Sequence, residues 1–208
     1  PETCKQSNVM LNYEVKNTEV LSRCKKPTNK FGMGCYYHIE SVVQNAALLS
    51  EKFGADKEIV IIASWLHDIA SVTDYSMYEE HHIYGARIAG ELLGKFDYDP
   101  IKIQAVQNCI RNHRGSVPIE KQSNEEICVA DADAISHFDN IPSLLYLAYV
   151  TKGMDFEKGK QFVIDKLNRS YRKLSDRSKL FYKDKYQNSM ALLNTSSTMK
   201  ITPSIQWL

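Results

Sequence analysis

A histidine and an aspartate, His67 and Asp68, stand side by side at the end of an apolar stretch of the sequence. His67 follows Ile59 by eight residues and Ala63 by four, so it shares the apolar face of a helix that the spacing predicts over 56–70. An ionised carboxylate is costly to bury unless a cation or hydrogen bonds compensate it. Imidazole and carboxylate together suit divalent cations, so the pair indicates either a metal site or two core residues that are hydrogen-bonded separately.

Further polar side chains fall on the apolar faces of other predicted helices. His38 precedes Val42 and Ala46 by four and eight residues, and Asp131 follows Ile127 by four. His81 and His113 occupy equivalent inward positions on two more helices. Because buried polar groups are expensive one by one, a shared metal centre explains all six inward residues better than six separate arrangements.

Composition and charge limit the function without identifying it. The chain has 208 residues, of which 43% are apolar and 25% are charged, and its formal net charge is +1. This near-neutral balance offers no electrostatic argument for a nucleic-acid or membrane partner. Five cysteines without a CxxC pair, and no apolar run long enough for a signal or a membrane span, lead us to expect a cytoplasmic protein.

The periodicity predicts an all-α chain in a single domain. Apolar residues at helical spacing indicate helices over 10–23, 37–53, 56–70, 79–93, 100–112, 125–136 and 142–150, and two more over 155–193 that meet near Ser175. Pro and Gly predict a loop over 24–34, and polar residues predict loops over 71–78 and 115–124. We therefore expect an N-terminal helix and loop over 1–35, a metal-binding core over 36–150, C-terminal helices packed on the core over 151–194, and a loose tail over 195–208.

Four sequence fragments occur in a characteristic order. They are Leu-His-Asp-Ile at 66–69, His-x-x-x-Gly-Ala at 81–86, Ile-x-x-His at 110–113 and Val-Ala-Asp-Ala-Asp at 129–133. With His38 before them, residues 36–150 resemble the HD-domain metal-dependent phosphohydrolase superfamily, and especially its small bacterial single-domain hydrolases. The resemblance implies an all-α helical bundle of the HD type, here with a C-terminal helical extension.

The same resemblance assigns roles to the inward residues. It implies that His38, His67, Asp68 and Asp131 hold one metal ion, which Asp68 could share with a second. It implies that His81 and His113 bind that second metal or contact the phosphate, so that Asp68, His81 and His113 carry the catalytic roles. Of the two acids in the last fragment we chose Asp131, because it matches the final aspartate of the family and lies on the apolar stripe.

This assignment leads to an expected reaction. We expect hydrolysis of a phosphate ester or anhydride in a nucleotide or another small phosphorylated metabolite, with one or two divalent ions of manganese, iron, cobalt, nickel or magnesium. Ala134 stands where small bacterial relatives carry a basic residue, so other cations are needed for the phosphate. The nearest candidates are Arg87, Arg111, Arg114 and Lys121.

Two other functions remain open at this stage. Some proteins with the HD fold are di-iron oxygenases, which need two irons and six ligands of the kind counted here. A non-catalytic scaffold that senses a ligand is disfavoured, because every metal-ligand position is filled. Ser71 in place of a lysine, and the absence of a Gly-Tyr-Pro motif, disfavour the cyclic-dinucleotide phosphodiesterases of the superfamily.

Overall fold

The computed structural model describes residue 11 and residues 14–114 and 120–194, and every regular element in these ranges is helical. The ten helices are α1 (π-helical over Val15–Leu21 and continued by Ser22–Cys24), α2 (Gly34–Phe53), α3 (Lys57–Leu66), α4 (Ile69–Thr73), α5 (His81–Lys95), α6 (Pro100–Asn112), α7 (Asn124–Asp139), α8 (Ile141–Tyr146), α9 (Phe156–Lys173) and α10 (Asp176–Leu193). A 3₁₀ turn over Tyr75–Glu80 leads into α5, and a π-helical turn over Leu147–Thr151 continues α8. The predicted all-α class is confirmed.

Short polar side chains set where several helices begin. Asp56 accepts hydrogen bonds from the first backbone N–H groups of α3, and Asp99 does the same for α6 before Pro100. Ser123 and Asp155 cap α7 and α9 in the same way. These caps satisfy N–H groups that a helix cannot satisfy itself, so they fix the registers from which the inward side chains project.

One core joins the helices. The α2 and α7 pair has the most extensive helix contact, and α3 lies against both helices and against α6. Large apolar side chains from five helices are almost completely buried in this core: Leu49, Leu66, Ile110, Ile135 and Leu167. The C-terminal helices take part, since α9 packs on α7 and α8, and α10 packs on α9 and α7.

The predicted continuous helix over 56–70 is wrong at one point. The chain leaves helical geometry at Asp68, where φ is −107° and ψ is 14°, and then starts α4. This is the sparsely populated bridge region of backbone space, where active-site residues are often found. The break lets the Asp68 carboxylate lie 3.5 Å from the Nε2 atom of its neighbour His67, whereas adjacent side chains on an unbroken helix point about 100° apart. The predicted loop over 71–78 is instead the end of α4 followed by the 3₁₀ turn.

Other differences from the predicted elements are small. Helix α2 begins three residues before the expected start, and α7 continues three residues beyond the expected end. The predicted pair of helices over 155–193 is confirmed, with Ser175 between them. Part of the predicted loop over 115–124, and the predicted tail over 195–208, lie outside the described residues.

Close packing at Gly85 fixes the distance between α5 and the break at His67. A Cβ atom at this position would lie 3.3 Å from Ile110 Cγ2 and 3.4 Å from the His67 carbonyl oxygen. We therefore expect Gly85→Val to lower the free energy of unfolding by about 1–3 kcal/mol, measured by urea denaturation. The reason is that α5 must move away from Ile110 of α6 and from the break at His67. Gly94→Ala in the same helix is the matched control, since its Cβ would meet open space, and a small gain in stability is expected there. Equal stability of the Gly85→Val variant and the parent would contradict this account.

Candidate metal centre

Three histidines are oriented in the same way by the backbone. The Nδ1 atoms of His67, His81 and His113 lie 2.7, 2.7 and 2.6 Å from the carbonyl oxygens three residues earlier, those of Ser64, Tyr78 and Ile110. A carbonyl oxygen can only accept, so Nδ1 carries the proton in each ring. In a neutral ring the lone pair is then on Nε2, which in each of these histidines lies close to another residue of the group.

A fourth histidine reaches the same state through a serine. The Ser136 hydroxyl donates to the Asp133 carbonyl oxygen at 2.7 Å, so it accepts from His38 Nδ1, also at 2.7 Å. This leaves the lone pair of His38 on Nε2, which is turned toward the other rings. Hydrogen bonds of this kind, from the nitrogen that does not bind metal, orient histidine ligands in metal sites.

The four Nε2 atoms crowd around two carboxylates. Asp68 Oδ2 lies 3.5 Å from His67 Nε2 and 3.8 Å from His38 Nε2, while its Oδ1 lies 3.6 Å from His81 Nε2. His81 Nε2 and His113 Nε2 are 3.2 Å apart, and Asp133 Oδ1 is 3.3 Å from His38 Nε2. Lone pairs that face one another at these distances repel unless a proton or a cation lies between them.

The chemistry of these atoms fits a metal ion. His67 Nε2 is buried and has no hydrogen-bond partner, which is an expensive state for a polar atom. Among the described residues, three groups have ligand atoms within 4.8 Å of one another: His38 with His67 and Asp68, Asp68 with His81 and His113, and His38 with Asp133 and His137. The two oxygens of Asp68 point toward different groups, so this residue could bridge two ions.

The choice of Asp131 as a ligand needs correction. Its carboxylate accepts hydrogen bonds from the backbone N–H of Ser175, at 2.9 Å, and from the Ser175 hydroxyl, and it belongs to none of the three groups. Residues two apart on a helix point in nearly opposite directions, so only one of the two acids can face the cavity. That acid is Asp133, while Asp131 ties α7 to the start of α10. Both faces of α7 are buried, so an apolar stripe did not distinguish them.

His137 is a site residue that the sequence analysis missed. It follows Asp133 by four residues, so the two share one face of α7, and its ring stacks on that of His38 at 4.9 Å between centroids. Its Nδ1 atom lies 3.1 Å from the Ser170 hydroxyl of α9. The four-residue spacing from Asp133 was the available signal, and it indicates His137 only when Asp133, rather than Asp131, is assigned as the ligand.

Cationic side chains and metal-ligand residues line one cavity. This cavity, of about 580 Å³, is lined by His38, Asp68, His81, His113, Asp133 and His137. It is also lined by the cationic wall, which we define as Lys166, Arg169, Arg172 and Lys173 of α9. Burial lowers the pKa of Lys166, and the nearby Asp133 carboxylate acts in the opposite direction. No candidate for phosphate binding had been named on this helix.

Of the four predicted phosphate contacts, only Arg114 lines this cavity, where it also pairs with Glu79. The other three are engaged elsewhere: Arg87 lies over the Tyr84 ring and near Glu91, Arg111 bonds Asn108, and Lys121 bonds the Asn112 carbonyl. These three predictions are corrected. Nearness in sequence to His81 or His113 was misleading, because a helix turns neighbouring side chains in different directions.

Burial and charge fix the ionisation of the centre. Burial alone would raise the pKa of Asp68, but the surrounding histidines, in their protonated form, attract its carboxylate and hold that pKa well below its ordinary value. Burial, together with the nearby His67, lowers the pKa of His113 to about 3. The carboxylate is therefore ionised and this imidazole neutral near pH 7, which are the states in which both bind metals.

Residues 35–137 match the HD domain family. The chain therefore contains an HD domain. The match covers the helices that carry His38, the His67–Asp68 break, His81, His113 and Asp133. Metal binding is a general property of this domain, and the resemblance seen in the sequence is confirmed at the level of the family.

Two curated proteins resemble part of this HD domain chain. The ribonuclease Y of Petrotoga mobilis is 28% identical over 118 residues, and that of Rubrobacter xylanophilus is 29% identical over 111 residues. These alignments cover 57% and 53% of this chain but only 21% and 20% of the relatives. The chain thus spans about a fifth of the length of these proteins.

Solved structures support the HD fold over most of the chain. The crystal structure of Bacillus subtilis YpgQ superposes with a TM-score of 0.69 and 18% identity, covering 96% of this chain and all (100%) of the other. A predicted HD superfamily hydrolase from an uncultured Thermotogales bacterium gives a TM-score of 0.54 and 21% identity, covering 86% of this chain and 91% of the other. None of the described helices has both the length and the apolar character needed to cross a membrane.

Replacing each of the two aspartates of α7 by alanine, one at a time, tests the corrected ligand set. Loss of a residue that only hydrogen-bonds a metal ligand typically lowers the metal affinity by roughly 10–100-fold. We expect Asp133→Ala to lower it by more than this, because the variant loses a ligand itself. Calorimetric titration of chelator-treated protein measures the affinity. Asp131→Ala is the matched control, which should keep the affinity but lower the free energy of unfolding by about 1–3 kcal/mol, because Ser175 loses its acceptor. Loss of metal from the Asp131 variant alone would restore the original assignment.

The pKa of His113 also predicts how stability depends on pH. In the unfolded chain this imidazole takes up a proton near its ordinary pKa of 6.5, whereas in the folded protein it does so only near 3. Between these values the unfolded state binds more protons, so metal-free protein should lose stability as the pH falls from 6.5 toward 3. One such group contributes a slope of at most about 1.4 kcal/mol per pH unit. Denaturation curves of the parent and of His113→Asn check this, and identical slopes would contradict it.

Proposed function

We propose that this protein is a metal-dependent phosphohydrolase that acts on a nucleotide or another small phosphorylated metabolite. The observation that carries the proposal is the division of one cavity into two unlike walls. Histidine and aspartate ligand atoms form one wall, and the cationic wall of α9 forms the other. A substrate with a phosphoryl group can contact both walls at once.

The residues present fit a divalent cation. His38, His67, Asp68 and Asp133 would hold one ion, and Asp68 with His81 and His113 would hold a second. A divalent ion held there would supply a bound water of lowered pKa and would polarise a phosphoryl oxygen. Neutral imidazoles with an ionised carboxylate suit manganese, iron, cobalt, nickel or magnesium to different degrees, so the choice of metal belongs to experiment.

The protein's own side chains would position the phosphate and move protons. Lys166 and Arg169 face the ligand residues across the cavity, where water is partly excluded and charge interactions are stronger. Arginine offers paired N–H donors that match two phosphate oxygens, whereas lysine acts as a point charge. Where only the first ion is bound, His81 Nε2, which lies 3.6 Å from Asp68 Oδ1 and 3.2 Å from His113 Nε2, would hold or pass a proton.

An apolar branch of the cleft supports a nucleotide over a bare phosphate. Two further cavities, of about 130 and 430 Å³, share Tyr78 and Lys166 with the main one and are lined by Phe31, Leu144 and Leu147. The Phe31 and Tyr78 rings lie 5.2 Å apart between centroids. An aromatic heterocycle could lie against these side chains while its phosphate stays near Lys166.

Two alternatives remain as candidates. The relatives named ribonuclease Y favour a phosphodiester in RNA as an alternative substrate, although the sequence predicts no nucleic-acid partner. Asp68, with its two oxygens toward different ligand groups, would also suit the di-iron oxygenase expected from the sequence as the second possibility. The RNA substrate and the di-iron oxygenase each predict a different experimental result from that expected for a small phosphorylated substrate.

Phosphate release from a set of nucleoside phosphates, with each divalent metal in turn, tests the proposal. We expect turnover that Asp68→Ala abolishes while the helical circular dichroism spectrum is retained. We expect Lys166→Ala and Arg169→Ala each to raise KM by about tenfold or more, since each removes a charged contact to phosphate. Arg87→Ala is the control, because this exposed arginine lies outside the cavity lining and should leave KM unchanged.

Other outcomes separate the alternatives. Turnover of a short RNA with none of small nucleotides would move the substrate to phosphodiesters. Two irons per chain in protein purified without chelator, with oxygen uptake and no phosphate release, would replace the hydrolase by an oxygenase. Full activity of Asp68→Ala would contradict the site itself, and absence of metal even after reconstitution would leave a non-catalytic scaffold.

A further inference from the structure

Two cysteines meet at the edge of the cleft, outside the metal centre. Cys24 ends α1 and Cys35 is the second residue of α2, and their Sγ atoms lie 3.4 Å apart. Both are free thiols in the structure. We propose that Cys24 and Cys35 form a reversible dithiol–disulfide pair, a modification site that reacts with low-molecular-weight disulfides such as oxidised glutathione. This inference does not depend on the proposed hydrolase activity.

The backbone between the two cysteines is already shaped to hold them together. The Asn29 side-chain amide donates to the carbonyl oxygens of Cys24 and Gly32, both at 2.9 Å, and lies 3.2 Å from Cys35 Sγ. Gly32 adopts a φ of 63°, which a glycine accommodates without strain, and so completes the turn before α2. The bonded distance in a disulfide is about 2.05 Å, so small side-chain rotations would close the gap.

The two thiols differ in access and in acidity. Cys24 is buried, with 3% of its surface exposed, while Cys35 is half-buried and lines the apolar branch of the cleft. The hydrogen bond between Cys35 and Cys24 and, more weakly, that from Asn29 lower the pKa of Cys35 against the opposing effect of burial. The same bond, with burial, raises the pKa of Cys24. Cys35 is therefore the attacking thiol and Cys24 the resolving one.

The reaction balances with a disulfide as the oxidant. The Cys35 thiolate attacks one sulfur of oxidised glutathione, its S–S bond breaks, and one glutathione thiolate leaves. Cys24 then gives up its proton to that thiolate and attacks the Cys35 sulfur, which releases the second glutathione. The two protein thiols lose two electrons in total, and the glutathione disulfide gains them to become two thiols.

The disulfide would restrain the segment between Cys24 and Cys35, which reaches the substrate cleft. The Phe31 N–H donates to the Asn29 side-chain oxygen at 3.0 Å, so this aromatic residue lies on the turn that the two cysteines close. The Phe31 ring also contacts Tyr75 and Tyr78, at 5.5 and 5.2 Å between centroids. Oxidation would therefore connect both ends of the segment that carries Phe31 into the cleft.

The remaining described cysteines provide internal controls. Cys109 and Cys128 are buried in the core, and burial raises the pKa of both, to about 12 for Cys128. Neither has a thiol partner that the structure places at bonding distance. We expect Cys109 and Cys128 to stay reduced in the folded protein. Cys35 should react with oxidised glutathione about tenfold faster than either of them, or more.

The test is disulfide mapping on the folded chain of 208 residues. The protein is incubated with oxidised glutathione, free thiols are blocked with N-ethylmaleimide, and peptides are identified by mass spectrometry with and without reduction. We expect a single Cys24–Cys35 disulfide, with the chain mass lower by two hydrogen atoms, which dithiothreitol reverses. The Cys35→Ser variant should form no such bond, while Cys4→Ser and Cys109→Ser should form it as the parent does.

Each other result would overturn the proposal. Cys24 and Cys35 both recovered as N-ethylmaleimide adducts after oxidation would show that the thiols do not pair. A lasting glutathione adduct on Cys35, or a bond from either cysteine to Cys4, would show that Cys24 is not the resolving thiol. The mapping on the parent protein is decisive even if a serine variant folds poorly, and circular dichroism of each variant identifies that case.

Discussion

The structure depends on one electrostatic constraint, the convergence of acceptor atoms that cannot satisfy one another. The Nε2 lone pairs of His38, His67, His81 and His113 all approach the ionised Asp68 carboxylate. Their Nδ1 protons are held by backbone carbonyls or by a serine, so none is free to turn toward the carboxylate. A cation removes this repulsion, and the helices that present these atoms can then pack without an unpaired buried group.

The fold meets this constraint by using helix ends and one break in the backbone. His67 and His113 directly follow the last residues of α3 and α6, and their rings turn back to bond the final turns of those helices. The bridge conformation at Asp68 then turns a carboxylate toward the same cavity. Gly85 permits α5 to approach this break closely, which brings His81 within reach. Local backbone geometry and packing thus position the ligand atoms together.

The cleft around the centre is assembled from parts of the chain that are far apart in sequence. The cationic wall belongs to α9, in the C-terminal extension, while the aromatic side combines Phe31, from the turn between α1 and α2, with Tyr75 and Tyr78 of the 3₁₀ turn. Lys166 borders the main cavity and both branches, so a charged group there can serve a phosphate whichever branch holds the rest of the molecule. The thiol pair lies on the N-terminal side of this cleft, and its chemistry is separate from that of the metal ligands.

The sequence by itself determined the all-α class, most helix limits and five of the residues that meet at the centre, because 3.6-residue periodicity reports directly which side chains face inward. It did not determine that Asp133 rather than Asp131 faces the cavity, since both sides of α7 are buried and each acid has a neighbouring apolar stripe. It also gave no reason to place Lys166 opposite Asp68, or Cys24 beside Cys35. Helix periodicity specifies the direction in which each side chain points around the axis of its own helix. It does not specify which neighbouring helix packs against that face, so only tertiary packing decides which buried side chains meet.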